Sequence, residues 1–131
     1  MNAIVNLARE TLSTPFLHQG RVLGVGMDCI GVAVYVAKRL GLDHTESQGY
    51  SPSPSNGLLE SALGAQSCLF EVRDMQVGDL LLMRFSEEPQ HVAIFAGDTI
   101  IHSYQNVGKV IEHPFSDVWR ARVVKIYRFK L

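Results

Sequence analysis

The spacing of apolar residues divides the chain into a helical first half and a strand-rich second half. Apolar side chains recur three and four positions apart over residues 2–12, which predicts a short amphipathic helix that ends before Pro15. Cys29–Leu40 is apolar almost all round, carries two basic residues in its last turn and stops at Gly41, as a buried helix does. Leu58–Ala65 predicts another short helix.

Beyond Gly78 the pattern changes to alternating or continuously apolar runs, which predict strands. Short connections between them indicate an antiparallel sheet. The alternation of Val32 with its neighbours also suits a buried strand, but the cap, the length and Gly41 favour a helix. The chain is therefore predicted to be α+β, with a buried helix packed on one face of a meander. The predicted strands are Leu80–Phe85, His91–Ala96, Thr99–Tyr104, Lys109–Glu112 and Arg122–Phe129.

Length and composition narrow the class of protein. The 131 residues, 47% of them hydrophobic, suffice for one domain over residues 1–131 and leave no room for a second core. A net charge of −1 provides no field to hold a polyanion, so nucleic acid is not an expected partner. The longest apolar run, Ile30–Ala37, is far shorter than the ~20 residues of a membrane span.

Two further features bear on where the protein is made. The N-terminal residues have neither the basic segment nor the long apolar segment of a Sec signal peptide. The two cysteines are too few for a disulfide framework or a four-cysteine zinc site, which is typical of a protein made in a reducing cytosol. Each cysteine can therefore be considered as a nucleophile or as core.

Cys29 has the surroundings of a nucleophile. Asp28 is a good helix N-cap, which puts Cys29 at the first helical position, where free N–H groups and the helix dipole favour an anion. A thiol there is expected to have a depressed pKa. Gly24, Gly26 and Gly31 allow close approach to the sulfur, and the Cys29 amide can donate to an oxyanion. A small buried core residue is the alternative.

Strand parity places two histidines together. Gly97-Asp98 predicts a two-residue hairpin turn that pairs Ala93 with His102 and His91 with Tyr104. His91 and His102 then lie on one face as diagonal neighbours, about 7–8 Å apart. With Cys29 they supply a nucleophile, a base and a group that orients the base. His91, expected at a sheet edge facing the helix, is the better base.

The remaining histidines and Cys68 are less informative. His18, His44 and His113 are interpreted as surface residues, and Cys68 is interpreted as core. No pair of histidines has the spacing of a zinc site, so no metal or other cofactor is predicted; a metal site built from residues distant in sequence is the weaker alternative.

The same residues resemble a known family. Asp28–Gly31 at the start of an apolar helix, Gly78–Leu81 before a strand, His91–Gly97 and then Ile101–His102 are similar in order and spacing to the NlpC/P60 cysteine peptidases. The resemblance implies a papain-like fold. It also implies hydrolysis of peptidoglycan stem peptides, commonly between D-γ-glutamate and diaminopimelate. Cys29 would be the nucleophile, with His91 as base and His102 as orienting residue.

A closer resemblance is to the phage and gene-transfer-agent branch of this family, carried by Phe16–Arg21, Pro89–Ile94, His102–Val110 and Trp119–Arg122. It implies a phage-like tail component, made in the cytoplasm and delivered to the cell wall within a particle. Many members have a Pro-Tyr pair where this chain has Pro15-Phe16.

Four residues are candidates for substrate or oxyanion contacts. They are Asp28, Phe16, Tyr50 and Tyr104, and either tyrosine could replace the hydroxyl that Phe16 lacks. Specificity is expected from the loops Tyr50–Gly57 and Ser86–Gln90. Two other functions stay open: a noncatalytic tail or muropeptide-binding module, and a Cys/His acyltransferase or deamidase on the same scaffold.

Overall fold

The computed structural model describes residues 2–45, 58–85 and 89–131. Asn2 caps the first helix, because its side-chain oxygen accepts from the N–H groups of Ile4 and Val5. The long apolar segment is a helix and not a strand, and Gly41 ends it with a φ of +69°. In the described residues the helices are α1 (Ala3–Glu10), α2 (Cys29–Arg39), α3 (Leu58–Gly64) and α4 (Asp117–Arg120).

The strands form a two-stranded and a six-stranded antiparallel sheet. The strand order in the larger sheet is β3-β8-β4-β5-β6-β7, so the expected α+β class is confirmed. The expectation of a simple meander was wrong, because the C-terminal strand β8 inserts between β3 and β4. The strands are β1 (Arg21–Val22), β2 (Gly26–Met27), β3 (Leu69–Val72), β4 (Leu80–Arg84), β5 (Pro89–Phe95), β6 (Thr99–Tyr104), β7 (Lys109–Pro114) and β8 (Val123–Phe129).

Each face of the larger sheet buries its own apolar cluster. We call the side that packs on α1, α2 and α3 the helix face; its strand residues include Leu82, Val92, Ile94 and Ile101. On the opposite face, Leu81, Met83, Ala93, Phe95 and Ile100 pack with residues that include Phe115 and Trp119. β4 is buried on both faces, which explains its unbroken apolar run.

Three elements were not predicted, each for a local reason. β3 is a four-residue edge strand whose partner, β8, lies more than fifty residues away in sequence. The hairpin of β1 and β2 has only two residues per strand, and α4 is a single turn. Cys68, which precedes β3, is buried as expected.

The β5–β6 hairpin has the predicted register. Ile94 pairs with Ile101 and Phe95 with Ile100, and the Ala96 N–H donates to the Thr99 carbonyl at 2.9 Å. This register places His91, Ala93, His102 and Tyr104 on one face.

No helix in the described segments is long and apolar enough to cross a membrane.

The start of α2 packs against the loop before β1 with no space for a side chain at Gly31. A Cβ atom at Gly31 would lie 2.5 Å from the Gly20 carbonyl oxygen, which belongs to rigid backbone. Gly31 therefore serves backbone packing, which brings the loop and the first turn of α2 together.

We predict that Gly31→Ala lowers the free energy of unfolding by about 1–3 kcal/mol, because the added methyl group must push the helix away from Gly20. Gly64→Ala is the control: Gly64 is also helical, at the last position of α3, and a Cβ there meets no atom within 4 Å. It should change stability by less than about 1 kcal/mol. Urea denaturation measures both, and equal losses would refute this account of Gly31.

Candidate active site

Asp28 organises the segment that carries the candidate nucleophile. Its carboxylate is buried and accepts from the Gly31 N–H at 2.8 Å and from the Gln19 N–H at 2.9 Å. Arg21 forms an ion pair with it, with Nη1 at 2.9 Å from Oδ1. The predicted N-cap is confirmed. As a carboxylate that only accepts, Asp28 supplies no donor for an oxyanion, so its position supports a role in fixing the start of α2.

The ladder between β5 and β6 stops before it reaches the histidines. Its pairs are Ile94–Ile101 and Phe95–Ile100. Hydrogen-bonded pairs recur every second residue, so a continued ladder would direct the Val92 N–H to the Ser103 carbonyl. The Val92 N–H instead lies near the Cys29 sulfur, where it lowers the pKa of the thiol. The thiol therefore lies at the edge of β5 that the ladder leaves open.

A second contact holds the segment before α2 over the gap between β5 and β6. The Ser103 hydroxyl donates to the Met27 carbonyl at 2.7 Å, and both residues are buried. Cys29, two residues further on, thus follows a backbone position that β6 fixes directly.

The thiol is protonated in the resting protein. Burial of the sulfur, followed in importance by the negative charge of Asp28, raises the pKa of Cys29 to about 12. Hydrogen bonds from the Val92 and Ile30 N–H groups oppose this rise. The expected depressed pKa was wrong, because burial of the sulfur outweighs the nearby N–H groups and the capping carboxylate of Asp28 adds to the rise. A base is therefore required to remove the proton.

Three histidines form a hydrogen-bonded row across β5, β6 and β7. The row lies on the face of the larger sheet opposite the helix face. His91 Nε2 lies 2.6 Å from His102 Nδ1, and His102 Nε2 lies 2.8 Å from His113 Nε2. His113 Nδ1 lies 2.9 Å from the Pro114 carbonyl oxygen. His91 and His102 are buried, and His113 is partly exposed.

Two sequence expectations about these histidines need correction. β5 is an interior strand, so His91 does not lie at a sheet edge. The histidines also do not face α2, which packs on the other side of the sheet against Val92 and Ile94. Cys29 lies near β5 where the β5–β6 ladder is open.

His113, interpreted from sequence as a surface residue, belongs to the row. The β6–β7 register pairs His102 with Ile111, which makes His113 a diagonal neighbour of His102 on the same face. Applying the parity argument to this second hairpin would have found it.

Aromatic rings enclose the row. Tyr104 stacks on His102, with ring centroids 5.2 Å apart and planes 19° from parallel. Trp119 lies edge-on to His102 at 5.0 Å, and Phe85 is tilted against His91 at 5.0 Å. The Arg122 guanidinium lies over the rings of Phe85 and Trp119. Sequence analysis did not give Trp119, Phe85 or Arg122 a place at the site.

The remaining candidates for substrate contact lie in different places. The Tyr104 ring is part of the enclosure, and its hydroxyl accepts from Asn106 Nδ2 at 3.1 Å. Phe16 is half-buried and forms a bridge with Met27, two residues before Cys29. Tyr50, the loop Tyr50–Gly57 and most of Ser86–Gln90 lie outside the described residues.

Burial keeps the two inner histidines neutral. It lowers the pKa of His91 to about 3, with a smaller contribution from the positive charge of Arg122. It also lowers the pKa of His102 to about 2, assisted by its two histidine neighbours. In the described parts of the chain, no group of three His, Cys, Asp or Glu side chains could hold a metal ion.

Comparisons with known proteins identify the family and the fold. The model of the NlpC/P60 family matches residues 13–128. No curated protein sequence matches the chain significantly.

Solved structures share the fold. An NlpC/P60 family protein from Bacillus cereus is 19% identical with a TM-score of 0.67, over 98% of this chain and 40% of its own. The peptidoglycan hydrolase RipB from Mycobacterium tuberculosis is 18% identical with a TM-score of 0.66, over 98% and 64%. The NlpC/P60 domain of the peptidoglycan hydrolase SagA is 24% identical with a TM-score of 0.61, over 100% of both chains. This chain therefore spans only part of the length of the first two.

We predict that the protein loses stability as the pH falls below about 6.5. An unfolded histidine binds a proton near that pH, whereas folded His91 and His102 stay neutral down to a pKa of about 3 and about 2. The unfolded state therefore binds more protons, and each histidine contributes a slope of about 1.4 kcal/mol per pH unit.

Urea denaturation at pH 7, 6 and 5 measures this slope. His102→Gln should make it shallower, because one of the two neutral histidines is then absent. Equal stability of the wild type at pH 7 and pH 5 would contradict the prediction.

Proposed function

Because the chain belongs to the NlpC/P60 family, we propose that it is a cysteine peptidase that cleaves the peptide part of peptidoglycan. The observation that carries the proposal is the position of Cys29 near the Val92 N–H, at the open edge of β5. The Val92 N–H lies near the sulfur and lowers the pKa of the thiol, and His91 precedes Val92 in the chain. His91 in turn is hydrogen-bonded to His102.

The first half of the reaction uses a neutral thiol and a neutral imidazole. His91 takes the proton of the Cys29 thiol at Nδ1, since its Nε2 is engaged with His102. The sulfur attacks the carbonyl carbon of the scissile amide and forms a tetrahedral intermediate. The proton then passes from His91 to the departing amine, which leaves a thioester.

The second half uses water. His91 removes a proton from a water molecule, the hydroxyl attacks the thioester carbon, and the thiol recovers its proton as the acid product leaves. In both halves the negative oxygen can accept from the Cys29 backbone N–H. This donor is at the first position of α2 and has no acceptor within the helix.

The substrate part of the proposal rests on the resemblance of the sequence motifs. We propose the bond between D-γ-glutamate and diaminopimelate in the stem peptide. Tyr104 and Trp119 lie beside the histidines and offer flat apolar surface for a peptide. The Tyr104 hydroxyl is a candidate for the polar group that the Phe16 side chain lacks. Tyr50 remains a further candidate for that hydroxyl.

We predict that Cys29→Ala reduces hydrolysis of purified muropeptides by at least about 10³-fold, with the protein still folded. His91→Ala should lower kcat by about 10²–10⁴-fold, as loss of a general base does. Cys68→Ala is the matched control: it removes the other thiol, which is buried beside β3 rather than at the open edge, and should retain activity.

Mass spectrometry of the products identifies the bond, and circular dichroism verifies folding. Equal activity losses in folded Cys29→Ala and Cys68→Ala would refute the assignment. Products joined to an added amine would point to an acyltransferase. Activity that a chelator abolishes and zinc restores would point to a metal enzyme.

We further propose that the protein acts as a tail component of a phage or gene-transfer agent and opens peptidoglycan locally during DNA delivery. Support comes from the similarity of His102–Val110 and Trp119–Arg122 to that branch of the family. Both segments border the histidine row, since Trp119 packs on His102 and Tyr104.

Purified particles from the host should contain the protein by mass spectrometry and show a wall-degrading band of its size in a zymogram. Particles prepared from a strain with the chromosomal Cys29→Ala substitution should contain the protein but lose the band. Finding the protein only free in the cytosol, with no muropeptide hydrolysis, would defeat this part of the proposal.

A further inference from the structure

The outer end of the histidine row has no role in the reaction described above. His113 lies on the edge strand β7, where its ring contacts His102 on one side and its own strand end on the other. Trp119 covers it, with ring centroids 4.9 Å apart.

We propose that His113 is a positioning residue that fixes the ring protons of His102 and His91, so that His91 Nδ1 is the bare nitrogen that accepts the Cys29 proton. This proposal rests on the proposed function for its use in the reaction. Its basis is the order of contacts along the row, which starts at a group that can only accept.

That group is the Pro114 carbonyl oxygen. Since a carbonyl cannot donate, His113 Nδ1, 2.9 Å away, must carry a proton. A neutral imidazole has one proton, so His113 Nε2 is bare and accepts. His102 Nε2, 2.8 Å away, must then be the donor.

The same reasoning fixes the next link. With its proton on Nε2, neutral His102 has a bare Nδ1, which accepts from His91 Nε2 at 2.6 Å. His91 therefore carries its proton on Nε2 and has a bare Nδ1. Burial favours the neutral form of His91 and His102, so neither ring carries a proton on both nitrogens.

Without an acceptor at position 113, no contact determines which ring nitrogens of His102 and His91 carry the protons. His102 could then hold its proton on Nδ1 and donate to His91 Nε2. That arrangement moves the His91 proton to Nδ1, where it blocks removal of the thiol proton. The difference between the two arrangements is about one hydrogen bond, which corresponds to roughly a tenfold change in population.

Two variants separate an acceptor from mere packing. His113→Gln keeps an amide oxygen that can accept from His102 and should keep kcat within about twofold of wild type. His113→Leu has similar bulk but no acceptor and should lower kcat about tenfold, with little change in KM. His44→Leu, at the far end of α2, is the control for loss of a histidine.

A purely structural role would make activity follow thermal stability and give Gln no advantage over Leu. Equal kcat in His113→Gln and His113→Leu, whether reduced or unchanged, would overturn the proposal.

A second measurement does not need the substrate. NMR of protein labelled with ¹⁵N-histidine distinguishes protonated from bare ring nitrogens. We expect protons on His113 Nδ1, His102 Nε2 and His91 Nε2 in the wild type, and a mixed or reversed pattern for the inner rings in His113→Leu. A proton on His91 Nδ1 in the wild type would overturn the proposal. The expected pattern in a protein that hydrolyses no muropeptide would instead uphold the tautomer assignment and count against the proposed function.

Discussion

The larger sheet lies between α2 and the histidines, so the two halves of the site can meet only where the sheet is open. The β5–β6 ladder ends at Ile94–Ile101, and the freed Val92 N–H lies near the Cys29 sulfur. The other features of the site depend on this opening. A ladder continued by one more hydrogen-bonded pair would engage the Val92 N–H and separate the thiol from His91.

The segment before α2 packs over this opening and is held there by its own set of contacts. The Met27 carbonyl accepts from the Ser103 hydroxyl. The Asp28 carboxylate accepts from Gly31, Gln19 and Arg21, which fixes the start of α2. Cys29 is therefore placed by a buried carboxylate on one side and a strand on the other. Burial of the sulfur raises the pKa of the thiol and the same carboxylate adds to the rise, so the thiol needs a base.

Sequence reasoning succeeded where one local rule determined the outcome. The cap at Asp28, the helix ending at Gly41 and the register of the β5–β6 hairpin each depend on a few adjacent residues, and all three are confirmed. It failed where the outcome depends on a distant segment. The insertion of β8 between β3 and β4 has no local signal, nor does the packing of Trp119 against His102.

The error about which face the histidines occupy has the same origin. Parity shows that His91 and His102 share a face, but it does not say which face α2 covers. The outcome depends on what packs on each face: α2 covers Val92, Ile94 and Ile101, whereas Phe115 and Trp119 pack on the face that carries the histidines. The protonation state of Cys29 was also beyond local reasoning, because it depends on how deeply the sulfur is buried.

The direction of the histidine row follows from its two ends. Between β5 and β7 every link joins two rings that can each donate or accept, so no inner residue alone decides where the protons lie. The decision is made at the edge strand, where the Pro114 carbonyl can only accept. Proline also gives that strand end no N–H with which to extend the ladder. A backbone group at the rim of the sheet thus sets the polarity of two buried side chains. The chemistry proposed for Cys29 depends on that polarity, because a neutral imidazole can accept the thiol proton only at its bare nitrogen.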